Sequence, residues 1–308
     1  MKTANILPSL TSQTQPWVEF VAKERQRNRC PPFTPTSEEM KVYEESLVRL
    51  KSESILKSQS ILKFESTYSK SKTTPLPQRV LILGVTPELR DLVLSHDIEC
   101  YSVDISESME ACFSAIMKHK NHPKDHVQIG DWREMDFPDG FFGAVFADAS
   151  LSNLATQEDD EKVVSLVNKF LAKGGYFLSR EFTYPSEFKP FTKQELTCQY
   201  RNNSITNADL FIEIRFWIYK DALWDKNKFT YDAKACFDMI DKDFKQGVYS
   251  KEEHDYMKKF RNNIINCIYP KEKFILMVCS KGFSFEKEFV DPSFRFTKFL
   301  SMYVFRKA

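Results

Sequence analysis

The chain has 308 residues, 44 basic and 43 acidic, and a formal net charge of +1, which excludes a protein built mainly to coat nucleic acid or a membrane surface. Hydrophobic residues make up 42% and charged residues 28%, a globular balance that excludes a disordered chain, and the length suits one large domain with additions or two domains. Apolar runs such as 80–85 are too short to span a bilayer, and the seven cysteines and five histidines show no metal-ligand spacing, so free thiols, no metal and a cytoplasmic location are expected.

Residues 1–78 read as a helical cap and linker. Residues 17–29 are amphipathic and end in a basic run with Arg25, Arg27 and Arg29, and Cys30-Pro31-Pro32 breaks them. Thr36-Ser37-Glu38-Glu39 has the form of a capping box, after which Met40, Tyr43, Leu47 and Leu50 share one helical face. The tandem pair SESILK and SQSILK (52–63) is a local duplication, and the Ser/Lys/Thr/Pro-rich stretch 66–78 reads as a linker.

Residues 79–183 alternate strand and helix. Strands are expected at 80–83, 98–103, 127–129, 142–147 and 176–182. Ser106 caps a helix carrying Met109, Phe113 and Ile116. Thr156 caps another, carrying Val163, Val164, Val167 and Phe170, which the glycine pair Gly174-Gly175 is expected to end. Such alternation gives parallel β-α-β units. Residues 184–269 break the rhythm with expected helices at 207–223, 231–244 and 250–265, the last opened by Ser250 and Glu253. Residues 270–308 close the pattern with a helix at 270–281 and strands at 283–290 and 299–305. The insertion thus falls after the fifth strand, at the carboxyl edge where open α/β sheets bind ligands.

Four strand ends carry the candidate chemistry. The first runs Leu83-Gly84-Val85-Thr86-Pro87-Glu88, where a single glycine makes the turn, Thr86 suits the helix N-cap and Pro87 the first helical position. The G-x-G-x-x-G of a dinucleotide site is missing. Pro87 lacks an N–H donor and Glu88 repels phosphate, so a pyrophosphate cofactor is disfavoured, and with it a nicotinamide-dependent dehydrogenase. A cationic, phosphate-free nucleoside suits the turn better. Asp104, twenty residues beyond Gly84, stands where an acid accepts from both ribose hydroxyls. Asp131 and Trp132 follow the third strand, an acid for an adenine amino group and an aromatic to cover the ring. Asp148 ends the fourth strand among small residues that leave room for a ligand.

With these residues quoted, the segment LGVTPEL, the VDIS acid, GDW, and ADASLSNL followed by LAKGGYFLSREF resemble the class I S-adenosylmethionine-dependent methyltransferases, in a branch with an L-G-V-T-P-E first motif. The resemblance covers 79–182 and, in fold, the closing 270–308. It implies an α/β, Rossmann-like, seven-stranded and mostly parallel sheet, with the N-terminal helical segment and the helical insertion as additions. It implies S-adenosylmethionine as cofactor and S-adenosylhomocysteine as product. Gly84, Thr86, Pro87 and Glu88 would border the methionine half, and Asp104 would hold the ribose. Ile105, Met109, Asp131 and Trp132 would surround adenine, and Asp148 and Leu151 would line the methyl-donor end. Candidates for a base are Asp148, Glu181 and Tyr184. Trp17, Tyr184, Phe211 and Trp217 are candidate acceptor contacts from the cap and the aromatic-rich insertion, with Phe33 and Tyr43 able to close the other side. The expected reaction is methyl transfer to O or N of a small molecule, with protein methylation or a non-catalytic regulatory module as alternatives. No Asp/Asn-Pro-Pro-aromatic run follows the fourth strand, so a nucleic-acid substrate is not favoured.

Overall fold

The computed structural model describes residues 33–63, 75–187 and 191–308, at 54–63 the backbone alone. Trp17 and the arginines at 25, 27 and 29 lie outside the described residues. Helix α1 (Ser37–Lys63) starts at the expected capping box: the Thr36 hydroxyl accepts from the Glu39 N–H at 3.0 Å, and a Glu39 carboxylate oxygen accepts from the Thr36 N–H at 2.6 Å. Next come β1 (Arg79–Leu83), α2 (Pro87–Ser95), β2 (Glu99–Asp104), α3 (Glu107–Ser114) and β3 (Asp125–Ile129). They lead to β4 (Phe142–Asp148), α4 (Gln157–Phe170) and β5 (Leu171–Phe182). After the insertion, α10 (Lys271–Ser280), β9 (Phe283–Phe289) and β10 (Leu300–Lys307) complete the sheet. Its order is β3-β2-β1-β4-β5-β10-β9, with β10 antiparallel to both neighbours and the other pairings parallel. This is the Rossmann-like, mostly parallel seven-stranded α/β fold.

Both faces of the sheet are covered, which is why β1 and β4 are continuous apolar runs. On one face Tyr43, Leu47 and Leu50 of α1 and Leu89 and Val93 of α2 pack on Val80, Ile82 and Phe146. On the other, Val163, Val164 and Val167 of α4 and Phe274 and Val278 of α10 pack on Leu81, Val145 and Phe305. Helix α1 is therefore a layer of the core. Gly143 accommodates it, since a Cβ there would come within 2.2 Å of the Pro77 carbonyl oxygen and 2.5 Å of Leu50.

The insertion holds α5 (Lys193–Arg201), α6 (Asn207–Glu213), a π turn (Ile214–Ile218) and α7 (Lys220–Leu223). It continues with β6 (Trp224–Asp225), β7 (Thr230–Asp232), α8 (Ala233–Lys245), α9 (Lys251–Lys258) and β8 (Ile265–Cys267). The expected helix 207–223 is thus interrupted by wider π winding. The helix expected from 231 starts at Ala233, because Asp232 caps it through the Ala235 N–H and residues 230–232 pair as a strand. The helix expected over 250–265 ends at Lys258. There the Asn262 side chain accepts from the Ile264 N–H and turns the chain into β8. The three-stranded sheet β6-β7-β8 was not expected, and strands of two or three residues leave little alternation to read. Gly174-Gly175 lies inside β5, at the register shift opposite Phe142–Ala144, rather than ending α4. The insertion's ends meet: the Tyr184 N–H donates to the Tyr269 carbonyl at 2.8 Å, and the Lys271 N–H to the Tyr184 carbonyl at 2.9 Å. Among the described residues no helix is long and apolar enough to cross a membrane.

Candidate active site

A cleft of about 230 Å³ opens where β1, β2 and β4 end, between the sheet edge and the insertion. Gly84, Thr86, Asp104, Met109, Trp132 and Asp148 line its core side. Phe211, Arg215, Phe216, Phe260 and Asn266 line its insertion side, with Phe33 and Phe182 between.

Gly84 makes the turn out of β1 with φ at +109°, a conformation that favours glycine. A Cβ on Gly84 would lie 3.8 Å from an Asp104 carboxylate oxygen and 3.9 Å from the Trp132 ring. The bare backbone thus keeps open the space between an acid and an aromatic face. Thr86 stands at the helix N-cap without a side-chain cap bond, and Pro87 follows it in the helix's first turn. Pro87 and Glu88 lie beyond the lining.

The Asp104 carboxylate accepts from the Ser106 N–H at 2.8 Å. Burial pushes its pKa up to about 6, against which that one backbone donor works. Trp132 is held by its indole N–H, which donates to the Val103 carbonyl at 2.6 Å. Asp131 is engaged elsewhere: it caps the short 3-10 turn Trp132–Glu134 and takes the Arg133 guanidinium at 2.5 Å. Ile105 is 38% exposed, outside the lining.

After β4 the chain turns through Ala149 at φ +51°, left-handed without being glycine, which is uncommon and here sits on the cleft. The turn is tied down by Ser150, whose hydroxyl donates to the Leu83 carbonyl at 2.6 Å and accepts from the Asp148 N–H at 3.1 Å. Asp148 accepts from the Arg180 Nε at 2.6 Å, and Arg180, itself fully buried, also faces Glu39 of α1 at 3.6 Å.

The three candidate bases separate. Asp148 lines the cleft. Glu181 does not: its carboxylate accepts from the Leu151, Ser152 and Phe182 N–H groups at 3.0, 3.1 and 3.2 Å, and burial nonetheless pushes it up to about 7. Tyr184 is buried, its hydroxyl donating to the Phe216 carbonyl at 3.2 Å with its ring against Trp217 and Trp224. Leu151 and Trp217 are core residues behind the lining, while Phe211 reaches it. Tyr43 packs on Phe146 and donates to the Ala147 carbonyl at 2.9 Å.

Sequence reasoning missed Arg215, Phe260 and Asn266. Arg215 carried a signal, a cation in the otherwise apolar run 214–219. Asn266 carried none, because its role comes from β8, a three-residue strand that begins where the expected helix 250–265 was to end.

Residues 84–179 match the methyltransferase domain family. The match begins at the Gly84 turn and runs into β5. No curated protein matches the chain. Among solved structures, a chain from Rhodobacter sphaeroides described as a zinc-dependent alcohol dehydrogenase is similar at 13% identity, over 97% of this chain and 99% of that one, with a TM-score of 0.54, a likeness of fold alone. Among the described residues no group of three or more His, Cys, Asp or Glu side chains is arranged to hold a metal. A Methanosarcina mazei S-adenosylmethionine-dependent methyltransferase is similar at 13% identity, covering 74% and 92%, with a TM-score of 0.44. The Burkholderia thailandensis didemethyltoxoflavin N-methyltransferase, solved with S-adenosylhomocysteine, is similar at 9% identity, covering 95% and 88%, with a TM-score of 0.45.

Proposed function

We propose that the chain is an S-adenosylmethionine-dependent methyltransferase acting on O or N of a small-molecule acceptor. The observation that carries the reading is the open space at Gly84 between the Asp104 carboxylate and the Trp132 ring, within the segment that matches a methyltransferase domain. In this reading the cofactor contributes a sulfonium-activated methyl group, whose bond to sulfur breaks as the bond to the acceptor forms, the electron pair staying on sulfur.

The chain's own residues bind and align. Asp104 accepts from the ribose hydroxyls, its one protein donor leaving acceptor capacity free. Trp132 and Met109 flank adenine, and Gly84 and Thr86 border the methionine half. Asp148, fixed by Arg180, faces the reacting end and takes the proton of an acceptor that must lose one. The aromatic insertion wall excludes water and holds the acceptor in line. Calorimetry with S-adenosylhomocysteine tests the reading: saturable binding is expected, weakened in Gly84→Val, whose side chain enters the space beside Asp104. Absence of binding at high-micromolar concentration sinks it.

A further inference from the structure

The arginines on or near this site are paired, with one exception. Arg180 has Asp148 and Glu39, Arg90 has Asp125 at 2.5 Å, and Arg295 has Glu213. Arg215 is buried too, 8% exposed, yet it has no carboxylate partner among the described residues. One guanidinium nitrogen donates to Asn266 Oδ1 at 2.9 Å, and Nε is buried without a hydrogen-bond partner. The guanidinium lies 4.9 Å from the Phe216 ring centre and 5.9 Å from that of Phe211. Burial pulls its pKa below that of an ordinary arginine, against which only Cys236, Tyr231 and Tyr184, and no carboxylate, act. An unpaired charge in such a place is costly to keep.

The surroundings hold it there regardless. Arg215 belongs to the π turn of the insertion, a winding frequent at functional sites. Its backbone carbonyl accepts from the buried Tyr231 hydroxyl. Asn266, its one side-chain partner, is fixed by donating to the Ser152 carbonyl at 2.8 Å, directly beyond β4. Arg215 therefore lines the cleft in a set position with most of its N–H donors unspent, among Phe182, Phe211, Phe216 and Phe260. A cation set into an aromatic wall is complementary to a ring that bears an anion, and a guanidinium matches a carboxylate through two parallel bonds.

We propose that Arg215 binds the carboxylate of the acceptor, and that the acceptor is a small aromatic acid. The inference rests on the methyltransferase reading and names its substrate class. The other source of a carboxylate in that reading is the methionine part of the cofactor, and the test separates the two.

S-adenosylhomocysteine is first titrated into wild type and Arg215→Met. Benzoate, salicylate and indoleacetate are then titrated into the saturated proteins beside the corresponding amides. At least one acid is expected to bind wild type at least about tenfold more tightly than its amide. That preference should vanish in Arg215→Met, with affinity for S-adenosylhomocysteine held within about threefold. Ligand-free Arg215→Met should melt at or above wild type, because the substitution removes an unpaired buried charge and keeps the bulk. An acid preference that is absent from wild type, or that persists in the variant, overturns the proposal. So does a variant that melts clearly lower, which makes Arg215 a structural residue. A variant that loses the preference for S-adenosylhomocysteine over methylthioadenosine, which lacks the carboxylate, also overturns it by giving Arg215 to the cofactor. If wild type does not bind S-adenosylhomocysteine, the methyltransferase reading itself falls; if it binds and no acid is preferred, only the present proposal does.

Discussion

At the scale of single residues, Asp104 carries the sharpest expectation. Its ordinary carboxyl value is 3.8, and burial raises it to about 6 in the folded chain. Between those values the folded state keeps a proton that the unfolded state has lost. Deprotonation therefore costs stability as pH rises through this window, and the cost is fully present above it. A ligand whose hydroxyls donate to the carboxylate recovers that cost by favouring the charged form. Affinity for S-adenosylhomocysteine should accordingly tighten as pH rises through about 6 and level off above, by at most about tenfold per pH unit. In Asp104→Asn the dependence should flatten and binding weaken by about 1–3 kcal/mol. Calorimetry across this pH range checks both. Glu181, near 7 and behind the lining, titrates in both variants, so the difference between them isolates Asp104. An equal pH profile in the two removes Asp104 from the ribose role.

At the scale of elements, the turn after β4 depends on an acid that looked catalytic in sequence. Glu181 belongs to β5, yet it holds the Leu151 and Ser152 N–H groups, so it links two adjacent strand ends. Glu181→Ala leaves those buried donors without their acceptor and should destabilise the protein by about 2–4 kcal/mol, whereas Glu181→Gln, which keeps a carbonyl acceptor, should cost less. Urea unfolding measures the difference, and an alanine variant that loses activity without losing stability would restore a chemical role. The strand ends and the Gly84 turn were legible because buried parallel strands are continuous apolar runs and the turn residues follow each at fixed positions. What separates Asp148 from Glu181 was not legible. Consecutive or paired strand-end acids read alike until the register of β4 against β5 decides which side chain meets the cleft and which meets backbone. The insertion was least legible for the same reason. β8 reaches back to pair its Cys267 N–H with the Leu154 carbonyl at 2.9 Å, a contact across more than a hundred residues that no local pattern announces.

At the scale of the whole molecule, the first described helix decides how the protein unfolds. Sequence alone separates 1–78 from the strand–helix core, because the Ser/Lys/Thr/Pro-rich stretch reads as a linker and the helix looks complete in itself. Its apolar face is nevertheless spent on the sheet. Tyr43, Leu47 and Leu50 are fully buried against β1, β4 and their neighbours, and Glu39 reaches Arg180, which in turn holds Asp148 on the cleft. Leu47→Ala should therefore act on the entire fold, costing about 2–4 kcal/mol through lost burial and the void left behind. For a chain of this size that corresponds to a fall in Tm of roughly 3–6 °C. In a background with Trp17→Phe and Trp132→Phe the remaining tryptophans, Trp217 and Trp224, lie in the insertion, so fluorescence reports on it, while far-UV circular dichroism reports mostly on the sheet and its helices. Both signals should shift down together in Leu47→Ala, since the helix packs on the sheet whose edge forms the cleft with the insertion. A variant in which the tryptophan transition stays at its wild-type temperature while the dichroism transition falls would mean that the insertion folds on its own and that helix α1 has no hold on the site.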